Sequence, residues 1–259
     1  MRKFLLFSSV GRKNNVRHWT SGKVKRNFDL VFYYYEEDEP PTFEADMVVK
    51  RKGFKFDNFA HFLDHNDVSN YEAIWLLDDD MIIDKRSINK LFKAFIKHDL
   101  WLAQPSIKQG QKNIPFPFQR HDPTCILKYT NFVEVNAAVI RTDKMGLIAQ
   151  TFRDSRNCGF GLDFIWVKLL GFPEDKIAII NTVICEHPYL EVPAIEEVYT
   201  RDEMKVEGIE LLIKYGLLEN PNEPITTKHW KLPYKVTVFR EIKKSNRLSS
   251  LYQLLRLRF

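Results

Sequence analysis

Short apolar runs and segments with helical periodicity follow one another along the first two thirds of the chain. Runs without polar alternation are typical of strands buried on both faces of a sheet. They occupy residues 4–10, 28–35, 47–50, 73–77, 100–104, 132–140 and 177–184. Apolar residues spaced three or four apart predict helices at residues 56–66 and 87–98, the second capped by Ser87, and a short helix is expected at 163–170.

Strands that alternate with helices predict an α/β fold with a mostly parallel central sheet and helices on both faces. Residues 105–129 are rich in Pro, Gln and Lys, and we interpret them as a long, functional loop. Beyond Pro188 the sequence becomes helical and charged over residues 195–215, and then basic. We therefore expect one domain at residues 1–191 and a helical, basic C-terminal extension at 192–259.

Composition supports an ordered domain: 44% of the 259 residues are hydrophobic and 14% are aromatic. The three cysteines, Cys125, Cys158 and Cys185, lie far apart, which predicts a reducing compartment without a disulfide framework or a thiolate zinc site. No apolar run approaches the roughly 20 residues of a membrane span, and residues 4–7 are too short for a secretory leader. We expect a cytoplasmic protein, soluble or peripheral on a membrane.

The net charge of +5 is concentrated near the C-terminus, where residues 225–259 hold nine Lys or Arg and one Glu. The last eleven residues, SSLYQLLRLRF, place Leu251, Leu254 and Leu255 on one side of a helix with arginines beside them. Such a segment can lie on an anionic membrane or attract nucleic acid. The alternative is a solvated basic helix without a partner.

Three adjacent carboxylates follow the buried run at residues 73–77, in the stretch AIWLLDDDMII. Residues two apart leave a strand on the same side, so Asp78 and Asp80 can converge on one ion while Asp79 points elsewhere. Carboxylate oxygens suit Mn²⁺ or Mg²⁺, and such an ion would bridge to a diphosphate. His187, at another strand end, is the candidate for the remaining ligand, and an acidic surface loop is the alternative.

Further polar residues are candidates for the donor site, because ligands bind outside the carboxyl ends of parallel strands. Ser8 and Ser9 end the first run at this edge, and Arg12 and Lys55 could pair with the diphosphate, although surface cations are more often solvated. Asp57, Asp78 and Asp79 complete the predicted donor set. Glu134, a charge within an apolar run, needs a partner, and it is interpreted as an edge residue, an acceptor contact or a support for the site.

The stretch LLDDDM at residues 76–81 resembles the DXD motif of GT-A fold glycosyltransferases, which hold a nucleotide-sugar diphosphate through Mn²⁺ or Mg²⁺. Further stretches resemble a domain-of-unknown-function family of plants and bacteria that is related to these enzymes and carries DDD, FVE and G(W/F)GLD motifs. They are QPSIK at 104–108, NFVEVNAAVIRTD at 131–143, CGFGLDFIW at 158–166, IAIINTVICEHP at 177–188 and, more weakly, KGFKFDNF at 52–59.

This resemblance implies roles for individual residues. Asp80 would contact the metal directly, Asp78 would contact the ribose or the ion through water, and His187 would complete the metal sphere. Asp163 would face the acceptor, and it would take the acceptor's proton if the reaction inverts the anomeric centre or only orient the acceptor if it retains it. From the residues alone, Asp163 could instead be the cap of its helix.

The implied function is a metal-dependent transfer of sugar from a nucleotide-diphosphate donor, a UDP-sugar, to a glycan or lipid-linked acceptor. One alternative is a metal-dependent nucleotidyltransferase, although SSVGRKNN at residues 8–15 holds only one Gly and is a poor phosphate loop. Another is a non-catalytic glycan- or nucleic-acid-binding protein that uses the basic tail. The intact DDD run with a matching histidine argues against it, and nucleic acid is not expected as a partner.

Overall fold

The computed structural model describes residues 2–111, 114–155, 159–188 and 200–244. In this part of the chain nine strands form one sheet in the order β3-β2-β1-β4-β7-β5-β8-β6-β9. The strands are β1 Phe4–Val10, β2 Phe28–Tyr34, β3 Met47–Lys50, β4 Ala73–Leu77, β5 Leu102–Ile107, β6 Cys125–Thr130, β7 Ala137–Arg141, β8 Ile177–Cys185 and β9 Val238–Lys243.

Most of the described strands point the same way. Strands β3, β2, β1 and β4 are parallel, as are β5 and β8. Strand β7 runs antiparallel between β4 and β5, and β6 runs antiparallel between β8 and β9. The prediction of an α/β domain with a mostly parallel central sheet is confirmed.

Helices cover both faces of this sheet. The helices are α1 Arg17–Thr20, α2 Lys55–His65, α3 Lys85–Lys97, α4 Met145–Asp154, α5 Leu162–Leu169 and α6 Arg201–Lys214. Alternate residues of β1 enter two separate cores: Leu6 packs with apolar residues of α1 and α3, and Leu5 packs with those of α2, α4, α5 and α6. This alternation is the period of two that a strand imposes, and it explains why every residue from Phe4 to Phe7 is apolar.

Helix α3 begins earlier than predicted, at Lys85. Asp84 is its N-cap, because the Asp84 carboxylate accepts the backbone N–H of Ser87 at 2.9 Å. Ser87 is therefore the third residue of the helix rather than its cap. Asp and Ser are both preferred N-cap residues, and here the cap is the one that comes first in the sequence, Asp84.

The predicted loop at residues 105–129 is shorter than expected, because β5 extends to Ile107 and β6 begins at Cys125. Lys128 lies within β6 and interrupts its apolar pattern, which concealed the strand. Its buried ammonium group donates to the carbonyl oxygens of Phe118 at 3.0 Å and Arg120 at 3.3 Å. The predicted strand at residues 132–140 also begins later, at Ala137, so the FVE stretch precedes β7.

The C-terminal part is not wholly helical. Helix α6 is present, and its capping box joins Thr200 and Glu203. Strand β9, within the predicted helical extension, instead pairs with β6 and becomes an edge of the central sheet. The predicted boundary at residue 191 and the segment 249–259 lie outside the described residues. Within the described ranges, no helix has the length and apolar character that crossing a membrane requires.

Candidate functional site

The carboxyl edge of the sheet collects the residues that the DDD run was predicted to join. Strands β4 and β8 end there, at Leu77 and Cys185, and the antiparallel β7 begins there. The backbone N–H of Asp78 donates to the carbonyl oxygen of Asn136 at 2.9 Å, which fixes the register of the two segments. The three aspartates, Asn136 and His187 therefore meet at one edge.

Asp80 and His187 lie side by side. Ile82 and Glu186 exchange two backbone hydrogen bonds of 2.9 Å, which align the chain beyond β4 with the chain beyond β8. The imidazole Nε2 of His187 is then 3.6 Å from Asp80 Oδ2. Burial lowers the pKa of His187, but the hydrogen bond to Asp80 and the negative charges of Asp80, Glu134 and Asp78 together outweigh this, so the pKa is raised. The other oxygen, Asp80 Oδ1, is buried without a hydrogen-bond partner among the described residues.

Asp78 is paired with Lys55 instead. The Lys55 ammonium group, at the first residue of α2, donates to Asp78 Oδ1 and, at 2.8 Å, to the carbonyl oxygen of Val135. Burial raises the pKa of Asp78, and the charge of Lys55 opposes this. Lys55 is thus the positive charge that three adjacent carboxylates require.

The predicted ligand set is only partly assembled. Within the described ranges, no three His, Cys, Asp or Glu side chains are arranged to hold a metal ion together. The structure brings Asp80 to His187 and holds Asp78 on Lys55.

Asp79 points away from its two neighbours, towards the turn after β1. Its Oδ2 accepts the backbone N–H of Gly11 at 2.7 Å, and its carbonyl oxygen accepts the N–H of Asn15 at 2.6 Å. Burial, and then the charges of Asp80 and Asp78, raise the pKa of Asp79 to about 7. Through these two hydrogen bonds Asp79 holds the turn after β1 against the DDD run. This role differs from the predicted contact with the donor.

Two predicted donor contacts, Ser8 and Ser9, lie inside the protein. Ser8 is fully buried in β1, and its hydroxyl donates to the carbonyl oxygen of Ser9 at 3.2 Å. Ser9 is 8% exposed and its hydroxyl accepts from the amide of Asn58 at 3.0 Å. Both serines are covered because β1 continues past them to Val10, and contact of either one with the donor stays a prediction.

Arg12 and Asp57 already have charged partners. Arg12 Nη2 lies 3.1 Å from Asp38, and both side chains are largely exposed. Asp57, in the first turn of α2, forms a two-pronged contact with Arg51 at 2.7 and 3.2 Å. Their role in donor binding remains a prediction.

Asp163 is the second residue of α5, and it is not the helix cap. The N-cap is Gly161, whose φ of +93° is left-handed, and a Cβ there would lie 3.2 Å from the carbonyl oxygen of Gly208. Asp163 Oδ1 instead accepts the N–H of Phe164 at 3.0 Å. Burial, and then the charge of Glu134, raise the pKa of Asp163 to about 8.

Glu134 is held by two glutamines that sequence analysis did not identify. Its backbone N–H donates to Gln104 Oε1 at 2.7 Å, and its Oε2 accepts from Gln119 Nε2 at 3.1 Å. Burial raises the pKa of Glu134 to about 7, while His187 and Gln119 oppose this rise. The signals in the sequence were the two polar residues inside apolar runs, Glu134 in FVEV and Gln104 in LAQPSI; nothing local marks Gln119.

A C-terminal segment completes the surroundings of α5. The ring of Trp230 packs on that of Phe160 with centroids 4.6 Å apart, and the Tyr234 hydroxyl donates to the carbonyl oxygen of Phe164 at 3.3 Å. Burial, and then the charge of Asp163, raise the pKa of Tyr234. These residues are some 70 positions apart along the chain, so sequence analysis did not associate them.

Comparison of the described fold with known proteins gives structural likeness only. No protein-family model matches the chain, and no curated protein matches it in sequence. S. aureus TarS 1-349, solved in complex with UDP-GlcNAc, superposes with a TM-score of 0.51 at 13% identity, over 86% of this chain and 68% of that one. GalNAc-T7, solved with UDP, GalNAc and Mn²⁺, superposes with a TM-score of 0.57 at 11% identity, over 82% of this chain and 48% of that one.

At identities this low the comparison establishes the fold and leaves the chemistry to the residues of this chain. The mixed α/β sheet with helices on both faces matches that of these enzymes. The chain has the fold of the GT-A-type glycosyltransferases.

Proposed function

We propose that this protein is a metal-dependent glycosyltransferase that moves a sugar from a nucleotide-diphosphate donor, a UDP-sugar, to a glycan or lipid-linked acceptor. The observation that carries the proposal is the pair of Asp80 and His187 at the carboxyl edge, where one buried oxygen of Asp80 has no hydrogen-bond partner among the described residues. Buried polar atoms are normally satisfied, so an unpaired carboxylate oxygen next to an imidazole is a place for a cation.

The donor atoms fit Mn²⁺ or Mg²⁺, since carboxylate oxygens suit both ions and imidazole also binds Mn²⁺. Asp80 and His187 would hold the ion, and Asp78 would join them if Lys55 released it. The Asn136 amide lies 3.3 Å from His187 Nδ1, and its buried oxygen has no partner among the described residues. Turning that amide would let its oxygen accept Nδ1–H, which leaves the Nε2 lone pair for the metal.

The bound ion would neutralise the charge that builds on the leaving diphosphate. The donor's diphosphate would also lie near Lys55, whose ammonium group already compensates Asp78. The two enzymes with the same fold were solved with UDP-GlcNAc and with UDP, which supports a UDP-sugar as the donor.

Asp163 is the candidate for the catalytic base. A carboxyl group whose pKa lies near 8 is a stronger base than an ordinary aspartate, and catalytic bases work best when their pKa is near the working pH. If the reaction inverts the anomeric centre, Asp163 takes the proton of the acceptor hydroxyl. If the reaction retains the configuration, the same carboxylate orients the acceptor.

We further propose that the protein works in the cytoplasm, at the inner face of a membrane, where a lipid-linked acceptor would be found. The support is the basic sequence of residues 225–259 with its amphipathic end. That end lies outside the described residues.

Thermal shift and hydrolysis assays with UDP-GlcNAc test the proposal, each in Mn²⁺ and in EDTA, and with UDP-glucose, UDP-galactose and UDP-GalNAc in parallel. We expect at least one UDP-sugar to raise Tm and to be hydrolysed only with the metal. Asp80→Asn should lose both effects and keep the fold. The matched control is Asp143→Asn, an exposed aspartate just beyond the far end of β7. Equal binding and hydrolysis in EDTA, or binding of none of the four donors, would overturn the proposal.

A further inference from the structure

One carboxyl oxygen of Glu134 is not used by the described part of the chain. Gln119 occupies Oε2, and no described residue donates a hydrogen bond to Oε1. The residue is only partly buried, so part of its side chain is exposed to solvent. Its backbone is fixed on both sides, by Gln104 at Glu134 and by the Lys55 ammonium group at the carbonyl oxygen of Val135.

Glu134 lies beside the cation-binding residues in the chain, because the amide of Asn136, two positions on, lies 3.3 Å from His187 Nδ1. The charges of His187, Asp78 and Lys55 act on its carboxyl group, so it is within reach of the cation-binding residues. The charge of Glu134 in turn acts on the carboxyl group of Asp163, on the acceptor side. Glu134 thus interacts electrostatically both with the cation-binding residues and with Asp163.

The transferred sugar has to lie between the cation-binding residues and Asp163. Its diphosphate is bound on the cation side and the attacking hydroxyl is bound near Asp163, so the reacting carbon stands between them. We propose that Glu134 binds hydroxyl groups of the transferred sugar through its free carboxyl oxygen, and that Gln119 is a positioning residue that holds Glu134 for this task. This inference rests on the proposed function and adds to it a residue that recognises the sugar of the donor.

The geometry of Gln119 explains how it positions Glu134. Gln119 is fully buried, and its Oε1 accepts the backbone N–H of Phe116 at 3.0 Å, which fixes the orientation of the amide. Nε2 then donates to Glu134 Oε2 and, at 3.3 Å, to Gln104 Oε1. A Leu at position 119 would fill a similar volume without these hydrogen bonds.

The test is isothermal titration of the intact Mn²⁺-loaded protein with UDP and with the tightest binder among the four UDP-sugars named above. Glu134→Ala should bind UDP within about twofold of wild type and bind the UDP-sugar about tenfold more weakly or worse, because one hydrogen bond to a charged group is lost. Gln119→Leu should show the same selective loss, to a smaller degree. Glu72→Gln is the matched control and should change neither affinity. The Glu72 carboxylate pairs with Lys3 at the amino ends of β1 and β4, opposite the carboxyl edge.

Deoxy analogues of that UDP-sugar separate recognition from a structural effect. Wild type should bind the analogue that lacks the contacted hydroxyl more weakly than the parent, and Glu134→Ala should bind both equally. Glu134→Gln, isosteric and neutral, keeps the comparison possible if Ala unfolds the protein, and it should reduce the discrimination.

Two results overturn the inference. Equal weakening of UDP and UDP-sugar would place Glu134 with the cation-binding residues, and unchanged UDP-sugar affinity would remove it from the sugar site. In both cases the proposed function stands if wild type still binds the donor with Mn²⁺. If wild type binds no UDP-sugar, the proposed function fails and this inference fails with it.

Discussion

The ammonium group of Lys55 joins Asp78 to the carbonyl oxygen of Val135, the latter at 2.8 Å. This single cation connects the start of α2, the DDD run after β4 and the loop before β7. Its positive charge offsets that of Asp78, one of the three adjacent carboxylates that follow the buried strand.

Replacement of Lys55 by a neutral residue should lower the stability of the fold, and added metal ion should restore part of it. We expect Lys55→Met to lower the free energy of unfolding by about 2 kcal/mol, because it leaves a partly buried carboxylate uncompensated. Mn²⁺ should raise the Tm of the variant more than that of wild type, since Asp78 becomes free to bind it. Urea unfolding with and without Mn²⁺ measures both effects.

Lys52→Met is the control for this experiment, because Lys52 is exposed and its ion pair within the described ranges is with the equally exposed Glu37. A Lys55→Met protein as stable as wild type, or insensitive to Mn²⁺, would contradict the expectation.

Asp163→Asn should separate a catalytic role from a structural one. Because Gly161 is the cap of α5, no loss of about 1 kcal/mol for a missing cap is expected. Turnover of donor to acceptor product should fall about 100-fold or more, while donor and Mn²⁺ affinities stay near those of wild type. Asp202→Asn, an exposed acid in the first turn of α6, is the matched control. Near-normal turnover in Asp163→Asn would end the assignment of this residue as the base.

Stability should decline as pH rises towards 8 in metal-free protein. The pKa of Glu134 is raised to about 7 and that of Asp163 to about 8, whereas unfolded carboxyls titrate near pH 4. The folded state therefore keeps protons that the unfolded state has released. The contribution of each group is present in full below about pH 4 and is lost as pH rises through its folded pKa.

Unfolding by urea at several pH values between 5 and 8.5 measures this slope. The profile of Glu134→Gln should be flatter than that of wild type, because the variant lacks one of the titrating groups. The profile of the control variant, Glu72→Gln, should stay parallel to that of wild type. A Glu134→Gln profile that is also parallel to wild type would show that burial at this position does not shift the pKa.

Residues 249–259 should bind anionic membranes. The protein is expected to sediment with vesicles rich in anionic lipid at low salt and to be released as salt rises, because exposed charges are screened beyond about 8 Å at physiological ionic strength. Truncation before Ser249 should abolish most of this sedimentation and leave hydrolysis of the UDP-sugar intact. Unchanged sedimentation of the truncated protein would assign membrane binding to another surface.

The sequence by itself determined much of the sheet and the place of the site. The apolar run at Ala73–Leu77 is a strand with the predicted bounds, because burial on both faces leaves a local signal. The run at Met47–Lys50 is also a strand with the predicted bounds, although it is largely exposed. The end of such a strand is also local information, so the DDD run and His187 were expected at the carboxyl edge before any contact was known. The parallel direction of β4 and β8 puts both strand ends at this edge, and the backbone pairing of Ile82 with Glu186 brings Asp80 to His187.

Only the tertiary structure decided which partner each polar residue has. Lys55 is 23 positions from Asp78 and 80 from Val135, and the register of β4 against the antiparallel β7 brings them together. The buried Lys128 interrupts the apolar pattern of β6, so the sequence did not predict this strand. Strand β9 is a strand through its pairing with β6, which the local sequence does not report. Hydrophobic periodicity reports which residues are buried, whereas the pairing of charges across the chain depends on strand order and register, which are set by packing of the whole domain.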